Sequence, residues 1–384
     1  MKPLTGINVL DFSQFLSGPS AALRLADLGA SVTKIENPDG GDICRRLYIS
    51  DLQIDGDSSL FHAINRNKKS ITLDLKDAAA RNVLRSLIAN ADVVIFNYRP
   101  GVAKRLGLDY PTLKAINPRL VYGEISGYGE TGPWATRPGQ DLLVQALSGL
   151  CWLNGNADQP PLPFGLSVTD IFAGEYLVQG IMAALVRLSM TGEGGLVQTS
   201  LMETVLDLQF EVLTTWMNDG RQDPVRSSVN NANAYISAPY GIYPTADGFL
   251  ALAMTPIPRL GALIGCDALA AFSEPESWAE RRDEIKTLLL MHLRQQKTGY
   301  WLERLEKEDV WCARVLDWEQ LMASEGFKAL NMVQKLTLHS GKTLLTTRCP
   351  VRIDGEIYTS PLGAPPLGAH NSAIAGNTGT ASAP

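Results

Sequence analysis

The sequence predicts an α/β fold, on three observations. From residue 7 to about residue 200, short β-branched runs alternate with longer stretches of helical periodicity, the signature of parallel strands joined by crossover helices. One of those runs, Val93 to Phe96, is wholly apolar, as a strand buried on both faces must be. The stretch from Met217 to Ala234 then fills with Asn, Asp, Gly and Ser, and the pattern after it is different.

Taken in order, Ile7 to Phe12 reads as the first strand. Gly18-Pro19-Ser20 punctuates it, and AALRLADLG has helical spacing up to Gly29, a plausible C-terminal cap. Ser31 to Glu36 is a strand, Ser70 to Leu75 another, Asp77 to Asn90 a helix, and Leu120 to Ser126 a further strand. Asp141 to Leu150 and Asp170 to Leu188 read as helices, Leu196 to Ser200 as extended, and Leu201 to Trp216 as one strong helix. Residues 1–216 are therefore expected to form one large domain, 217–234 a linker, and 235–330 a smaller α+β domain. That smaller domain opens on a hairpin from Tyr240 to Met254, with its turn at Thr245 to Gly248. Residues 331–384 add short strand-like pieces and a Gly, Ala, Ser and Thr tail that buries too little to order itself.

At 384 residues, with 45% apolar and 19% charged side chains, the composition is that of an ordinary globular protein of two or three domains. The net charge of −6 opposes broad attraction to nucleic acid or anionic lipid. Cys44, Cys151, Cys266, Cys312 and Cys349 lie far apart without a C-x-x-C, which suggests neither a disulfide framework nor a zinc knuckle and fits a reducing cytosol. MKPLTGINVLDFS lacks the apolar core of a secretory signal, and no uninterrupted apolar stretch reaches the ~18 residues of a membrane span. The expectation is a soluble, cytoplasmic chain.

Most chemical motifs are missing. The turn after the first strand reads Gln14 to Pro19 and has no G-x-G-x-x-G, and Gly341-Lys342-Thr343 lacks the preceding glycine of a P-loop, with Leu336 in its place. His62, His292, His339 and His370 are scattered without metal-ligand spacing, and no G-x-S-x-G elbow exists. What remains is acidic residues at strand-to-helix junctions, where open α/β sheets bind ligands. Asp141 follows Arg137-Pro138-Gly139-Gln140 and opens an apolar helix, so its carboxylate should lie near unpaired amides and the positive end of a helix dipole; a plain N-terminal cap would look the same. Asp170, in GLSVTDIFAGEY, shares that ambiguity.

These segments resemble the class III coenzyme A transferases, the family that also contains the α-methylacyl-CoA racemases. The match is carried by PLTGINVLDFSQFLSGP with LADLGASVTKIE, NRNKKSITLDLK at 65–76, NYRPGVAKRLGLDY at 97–110, and NPRLVYGEISGYGETGP running on to RPGQDLLVQALSGL. The resemblance implies a Rossmann-like large domain with the smaller domain inserted, in a homodimer of interlocked subunits. It implies acyl-CoA and a small carboxylic acid as substrates, no metal, and Asp141 as the nucleophile. Around CoA it implies Leu16, Ser17, Asn37, Leu73, Asp74, Leu75, Lys76, Asn97, Tyr98, Arg99, Arg105, Ile125, Ser126, Gly127 and Tyr128.

The chain departs from the formyl-CoA transferases of that family at Leu16, Asn37 and Ser126, where they carry glutamine, arginine and lysine. That argues against formyl-CoA and oxalate as its substrates. The racemase branch needs a proton donor and a proton acceptor on opposite faces of the α-carbon. It has a histidine where this chain has Gln140, which cannot carry a proton, although Asp170 stands where the second acidic residue would be. A CoA-binding protein without chemistry is the third reading, opposed by the retention of Asp141.

Overall fold

The computed structural model describes residues 1–47 and 52–372. The Gly, Ala, Ser and Thr tail expected to stay unordered lies outside the described residues from 373 on. The chain forms two compact units. One comprises Met1–Val144, Ser167–Leu208 and Leu330–Pro384; the other comprises Gln145–Leu166 and Gln209–Ala329.

In chain order the first unit runs β1 (Asn8–Asp11), α1 (Ser17–Asp27), β2 (Ser31–Glu36), a short hairpin of β3 (Gln53–Ile54) and β4 (Asp57–Ser58), α2 (Ser59–Asn65), β5 (Lys69–Thr72), α3 (Ala78–Ala89) and β6 (Val93–Phe96). It continues with α4 (Val102–Leu106), α5 (Tyr110–Ile116), β7 (Val121–Ser126), the opening of α6 (Asp141–Leu147), α7 (Val168–Thr191), β8 (Gly195–Ser200) and α8 (Leu201–Leu208). Six strands form one sheet in the order β5-β2-β1-β6-β7-β8, every neighbouring pair parallel.

From β1 the chain works outward through β2 to β5, then returns to the other side of β1 for β6, β7 and β8. The direction of winding reverses between β1 and β6, and such a reversal opens a crevice at the C-terminal ends of the two strands. Val93 to Phe96 have no exposed surface, as their apolar run requires. Phe96 stacks between Phe12 at 4.6 Å and Tyr122 at 5.0 Å, at the centre of the core on one face of the sheet.

The other face is covered by α1 and α7. Leu177 and Ile181 of α7 reach Gly123 of β7, whose missing side chain leaves room for them. By length and composition α7 is the one helix among the described residues apolar enough to cross a membrane. Here it packs on α1, β7 and β8 through Ala173, Leu177, Ile181, Ala184 and Leu188. The C-terminal segment lies along β5, an edge strand: the His370 amide donates to Ser70 O at 2.9 Å and the Thr72 amide to Asn371 Oδ1 at 2.9 Å. Covering an open edge blocks stray strand pairing.

The second unit contains α9 (Phe210–Asn218), α10 (Ile257–Ile264), α11 (Ser277–Glu280), α12 (Arg282–Leu293) and α13 (Thr298–Glu306), with an antiparallel sheet of β9 (Gly241–Pro244), β10 (Phe249–Leu252) and β11 (Cys312–Arg314). Its core is built on Tyr243, Leu250, Leu260, Leu289 and Trp301. The hairpin turn closes as expected, the Thr245 amide donating to Gly248 O at 2.8 Å.

Two expectations fail here. Leu201 to Trp216 is two helices, parted at Gln209, whose backbone (φ −96°, ψ 12°) has left the helix. The stretch 217–234 does not mark where the units part, because it folds inside the second one. Arg226, only 8% exposed, donates to the carbonyls of Asn154 and Gln159, and the Ser227 hydroxyl donates to Asp283. Polar residues that read as a linker are used instead to satisfy the carbonyls of segment 145–166, which therefore belongs to this unit and not to the large domain expected over 1–216.

Candidate active site

β7 ends at Ser126, and the chain travels out over residues 127–139 before returning to Gln140 and Asp141, the first residue of α6. The excursion is closed by two glycines in direct contact. A Cβ on Gly139 would lie 2.5 Å from Gly127 Cα, and one on Gly127 would lie 2.6 Å from Gly139 Cα. Neither position tolerates a side chain, so the start of α6 is pinned against the C-terminal end of β7.

Asp141 is only 6% exposed. Its Oδ1 accepts from the Thr169 amide at 2.8 Å, the Thr169 hydroxyl at 2.7 Å and the Asp170 amide at 3.3 Å. Those amides belong to the first turn of α7, where N–H groups have no partner within their own helix and the macrodipole is positive. At the start of α6 the Gln140 Oε1 accepts from the Leu142 amide at 3.1 Å. Asp141 reaches across to a second helix.

Asp170 is the next residue of α7. Burial, followed by the charge of Asp141, pushes its carboxyl up from 3.8 to about 6, against a smaller lowering by the Ser17 hydroxyl. Ser17 opens α1 and is 4% exposed. The two helices come this close because α7 presents Gly174 to α1: a Cβ there would sit 2.4 Å from Ser20 Oγ and 2.8 Å from Ser17 O. Asp141, Asp170 and Ser17 are thereby gathered at one end of the sheet.

The loop from Ser13 to Leu16 bridges this group to the crevice between β1 and β6. Phe15 has a left-handed backbone, φ 62°, unusual for a residue with a side chain, so its surroundings must impose it. Asn97, at the end of β6, accepts from the Gln14 amide at 2.8 Å and donates to Gln14 O at 2.6 Å. The Phe15 amide donates to Asp42 Oδ1 at 3.2 Å.

Beneath the loop lies a buried ionic cluster. Lys34 pairs with Asp42 at 2.9 Å and donates to Ser13 O at 2.8 Å; Lys68 pairs with Asp11 at 2.9 Å; Arg45 holds Glu36 through two bonds of 2.8 Å. Burial alone would depress the Lys34 ammonium, but Asp11, Asp42 and Glu36 overcome it and hold its pKa raised. Burial likewise opposes ionisation of Asp11, and Lys34 and Lys68 outweigh it, so that its pKa is lowered. Ion pairs this deep contribute little net stability, whereas they do fix geometry. The sequence signal for them was a charge inside an otherwise apolar strand, Asp11 in NVLDF and Lys34 in SVTKIE.

The positions implied by the resemblance mostly fall at the same end of the sheet. Leu16 and Ser17 follow β1, Asn37 follows β2, Leu73 to Lys76 follow β5, Asn97 to Arg99 follow β6, and Ile125 to Tyr128 close β7. Their side chains differ in what they can reach. Leu73 and Ile125 are core residues at 9% and 2% exposure, Tyr98 is held by burial at a pKa of about 12, and the Asn97 amide is spent on Gln14. Asn37 and Asp74 take their own turn amides, from Asp39 at 2.9 Å and Lys76 at 3.0 Å. Ser126 Oγ accepts from the Gly129 amide at 2.9 Å. Arg105 stands apart, on α4, with its guanidinium beside Gly101. Among the described residues no group of three or more His, Cys, Asp or Glu side chains is placed to hold a metal ion.

A doubly wound parallel sheet with an acidic pair and a helix N-terminus over its strand ends is the frame of an α/β protein that binds its ligand at the switch point. Residues 4–371 match CoA-transferase family III. The chain is 34% identical over 387 residues to the succinate–glutarate CoA-transferase of Agrobacterium fabrum, covering 97% of this chain and 94% of that one. It is 33% identical over 387 residues to the acetyl-CoA:oxalate CoA-transferase of Acetobacter aceti, covering 97% and 95%. A CAIB/BAIF family protein from Brucella suis superposes with a TM-score of 0.84 at 32% identity, over 98% of this chain and 99% of that one. The chain belongs to CoA-transferase family III, whose members are enzymes that use CoA thioesters.

Proposed function

We propose that the protein transfers CoA from an acyl-CoA to a free small carboxylic acid, with Asp141 as the nucleophile. The observation that carries this reading is the Asp141 carboxylate, nearly buried and fixed through Oδ1 by two donors of Thr169 and the Asp170 amide. A fixed carboxylate loses little orientational freedom on attack.

The carboxylate attacks the donor thioester carbonyl, the C–S bond breaks, and CoA leaves as thiolate while the acyl group stays on Asp141 as a mixed anhydride. The thiolate then attacks the aspartyl carbonyl of that anhydride, releasing the donor acid and leaving an aspartyl-CoA thioester. The acceptor carboxylate attacks this thioester and expels the thiolate, which takes the new acyl group and frees Asp141. Anhydrides hydrolyse, so the nearly dry setting of Asp141 serves the chemistry. Main-chain amides of the glycine turn that starts at Gly127, packed on Gly139, are the candidate donors to the developing oxyanions. CoA lies over the ends of β1, β5, β6 and β7, touching main chain at Leu73 and Ile125, and side chains at Lys76, Arg99 and Arg105.

Small dicarboxylates, succinate and glutarate, appear in the name of one relative and are the first acceptors to try. The racemase reading is weaker because Gln140, engaged with Leu142, leaves Asp170 as a single acid–base group. The working molecule is an interlocked homodimer. Its support is α9, which carries no buried residue and leaves Phe210 67% and Met217 58% exposed. All five cysteines are free thiols, as a cytoplasmic enzyme would keep them.

The test is CoA exchange between succinyl-CoA and labelled glutarate or other small acids. Asp141→Ala should abolish exchange while binding CoA normally; exchange at the wild-type rate in that variant would end the assignment.

A further inference from the structure

Lys68 lies between α2 and β5, and its side chain has no exposed surface. The acyl chemistry makes no use of it. Its nitrogen donates to acceptors brought by three elements: Asp11 Oδ2 at the end of β1 at 2.9 Å, Pro19 O in the first turn of α1 at 2.8 Å, and Asn65 Oδ1 at the end of α2 at 2.9 Å. An ammonium has three N–H groups, so each is used. A neutral amine has two, and would leave one of these buried oxygens without a donor.

Asp11 and Pro19 bracket the loop that leads from β1 into α1. The other oxygen of Asp11 accepts from the Ser13 amide at 3.0 Å and from the Ser13 hydroxyl, and Gly18 packs on Ser13 with no room for a Cβ. Lys68 thus grips the strand end and the helix start at once, with the left-handed Phe15 carried between them. Leu16 and Ser17 follow Phe15 at the C-terminal end of β1, beside the crevice of the switch point.

Resting on the CoA reading above, we propose that the Lys68 ammonium holds the loop from Ser13 to Ser17 in the shape that receives acyl-CoA, and is a positioning residue for acyl-CoA binding that does not touch the reacting atoms. The groups that face it are Asp11 in contact, Lys34 of β2, Asp42, and the Cys44 thiol, which burial holds neutral up to about 12; α1 and α2 add only the two uncharged oxygens. Lys34, with Asp11, Asp42 and Glu36 around it, keeps its charge. At Lys68 burial, joined by the charge of Lys34, outweighs Asp11 and brings the pKa down to about 8. Above that pH one N–H is lost, the loop loosens, and acyl-CoA binds less tightly. Unfolding does not imitate this, because a lysine whose folded pKa is lowered makes the fold more stable as pH rises from about 8 towards its ordinary 10.5.

The experiment measures initial rates of CoA exchange from succinyl-CoA between pH 7 and pH 9.5 on the full chain, with circular dichroism at each pH to confirm folding. In wild type the KM for succinyl-CoA should rise roughly tenfold about a midpoint near 8, with kcat changed by less than about twofold. Asn65→Asp keeps the acceptor and adds a carboxylate beside the ammonium, which should carry the midpoint up by about one pH unit or more. Lys68→Met, with no proton to lose, should show a raised KM at every pH and no step. A wild-type KM that is level across the range, a step that Asn65→Asp does not move, or a step carried by kcat alone overturns the role of Lys68 and leaves the CoA reading standing, since exchange is observed throughout. If a variant does not fold, the wild-type profile decides. A wild type that exchanges no CoA at any pH overturns the CoA reading itself, and the role of Lys68 with it.

Discussion

Thr169 gives Asp141 two hydrogen bonds to one oxygen, from its amide at 2.8 Å and its hydroxyl at 2.7 Å. The first residue of one helix is thereby anchored to the first turn of another, 28 residues further along the chain. Substitution Thr169→Val keeps the shape and the amide but removes the hydroxyl. The expected outcome is a loss of roughly tenfold in kcat and about 1 to 2 kcal/mol of stability, from a nearly buried carboxylate deprived of a donor. Steady-state kinetics and urea unfolding read both; an unchanged kcat would show that the hydroxyl does not serve the nucleophile.

Asp170 should make stability fall with pH. Its folded pKa is raised by burial and by Asp141 from 3.8 to about 6, so the folded state holds the proton more tightly than the unfolded state. That contribution is complete below about pH 4 and is lost as pH rises through 6. Asp170→Asn removes the linkage, and its stability relative to wild type should rise by roughly 2 to 3 kcal/mol between pH 4 and pH 7. Parallel urea midpoints across that range, with no divergence, would contradict the assignment.

Gly139→Ala should be severe for a methyl group. The new Cβ would lie 2.5 Å from Gly127 Cα, a backbone atom that cannot rotate away. A loss of roughly 2 to 4 kcal/mol is expected in thermal or urea unfolding, with exchange activity lost through the displaced start of α6. Near-wild-type stability and activity would mean that the two backbones do not meet.

Asn97→Ala frees both main-chain groups of Gln14 and releases the left-handed Phe15 loop. The KM for acyl-CoA should rise by roughly tenfold with a smaller change in kcat, because Asn97 positions the loop and does not touch the reacting atoms. Asn97→Asp, which keeps the acceptor for the Gln14 amide, should recover part of the loss. A fall in kcat alone would place Asn97 in the chemistry instead.

Much of the sheet was legible because its strands are punctuated apolar runs: Ser31–Glu36 and Val93–Phe96 were read with their observed ends. Local pattern stops short where tertiary contacts decide. The helix break at Gln209 and the docking of 145–166 with the second unit rest on contacts between segments about sixty residues apart, such as the Gln209 amide on Ser148 O. Asp141 could be singled out from its place before an apolar helix. The α7 donors to its carboxylate could not, because Thr169 and Asp170 lie 28 and 29 residues further along the chain. Asn97 was expected to face CoA, and the spacing NYRPG alone could not disclose that its amide is already taken by Gln14.

The most direct test of the covalent role of Asp141 is to incubate the protein with succinyl-CoA, quench with hydroxylamine, and map the product by peptide mass spectrometry. A hydroxamate confined to residue 141, absent without acyl-CoA and absent from Asp141→Ala, is the predicted result. Active exchange with no modification at that position, or with the adduct on Asp170 or elsewhere, would contradict it.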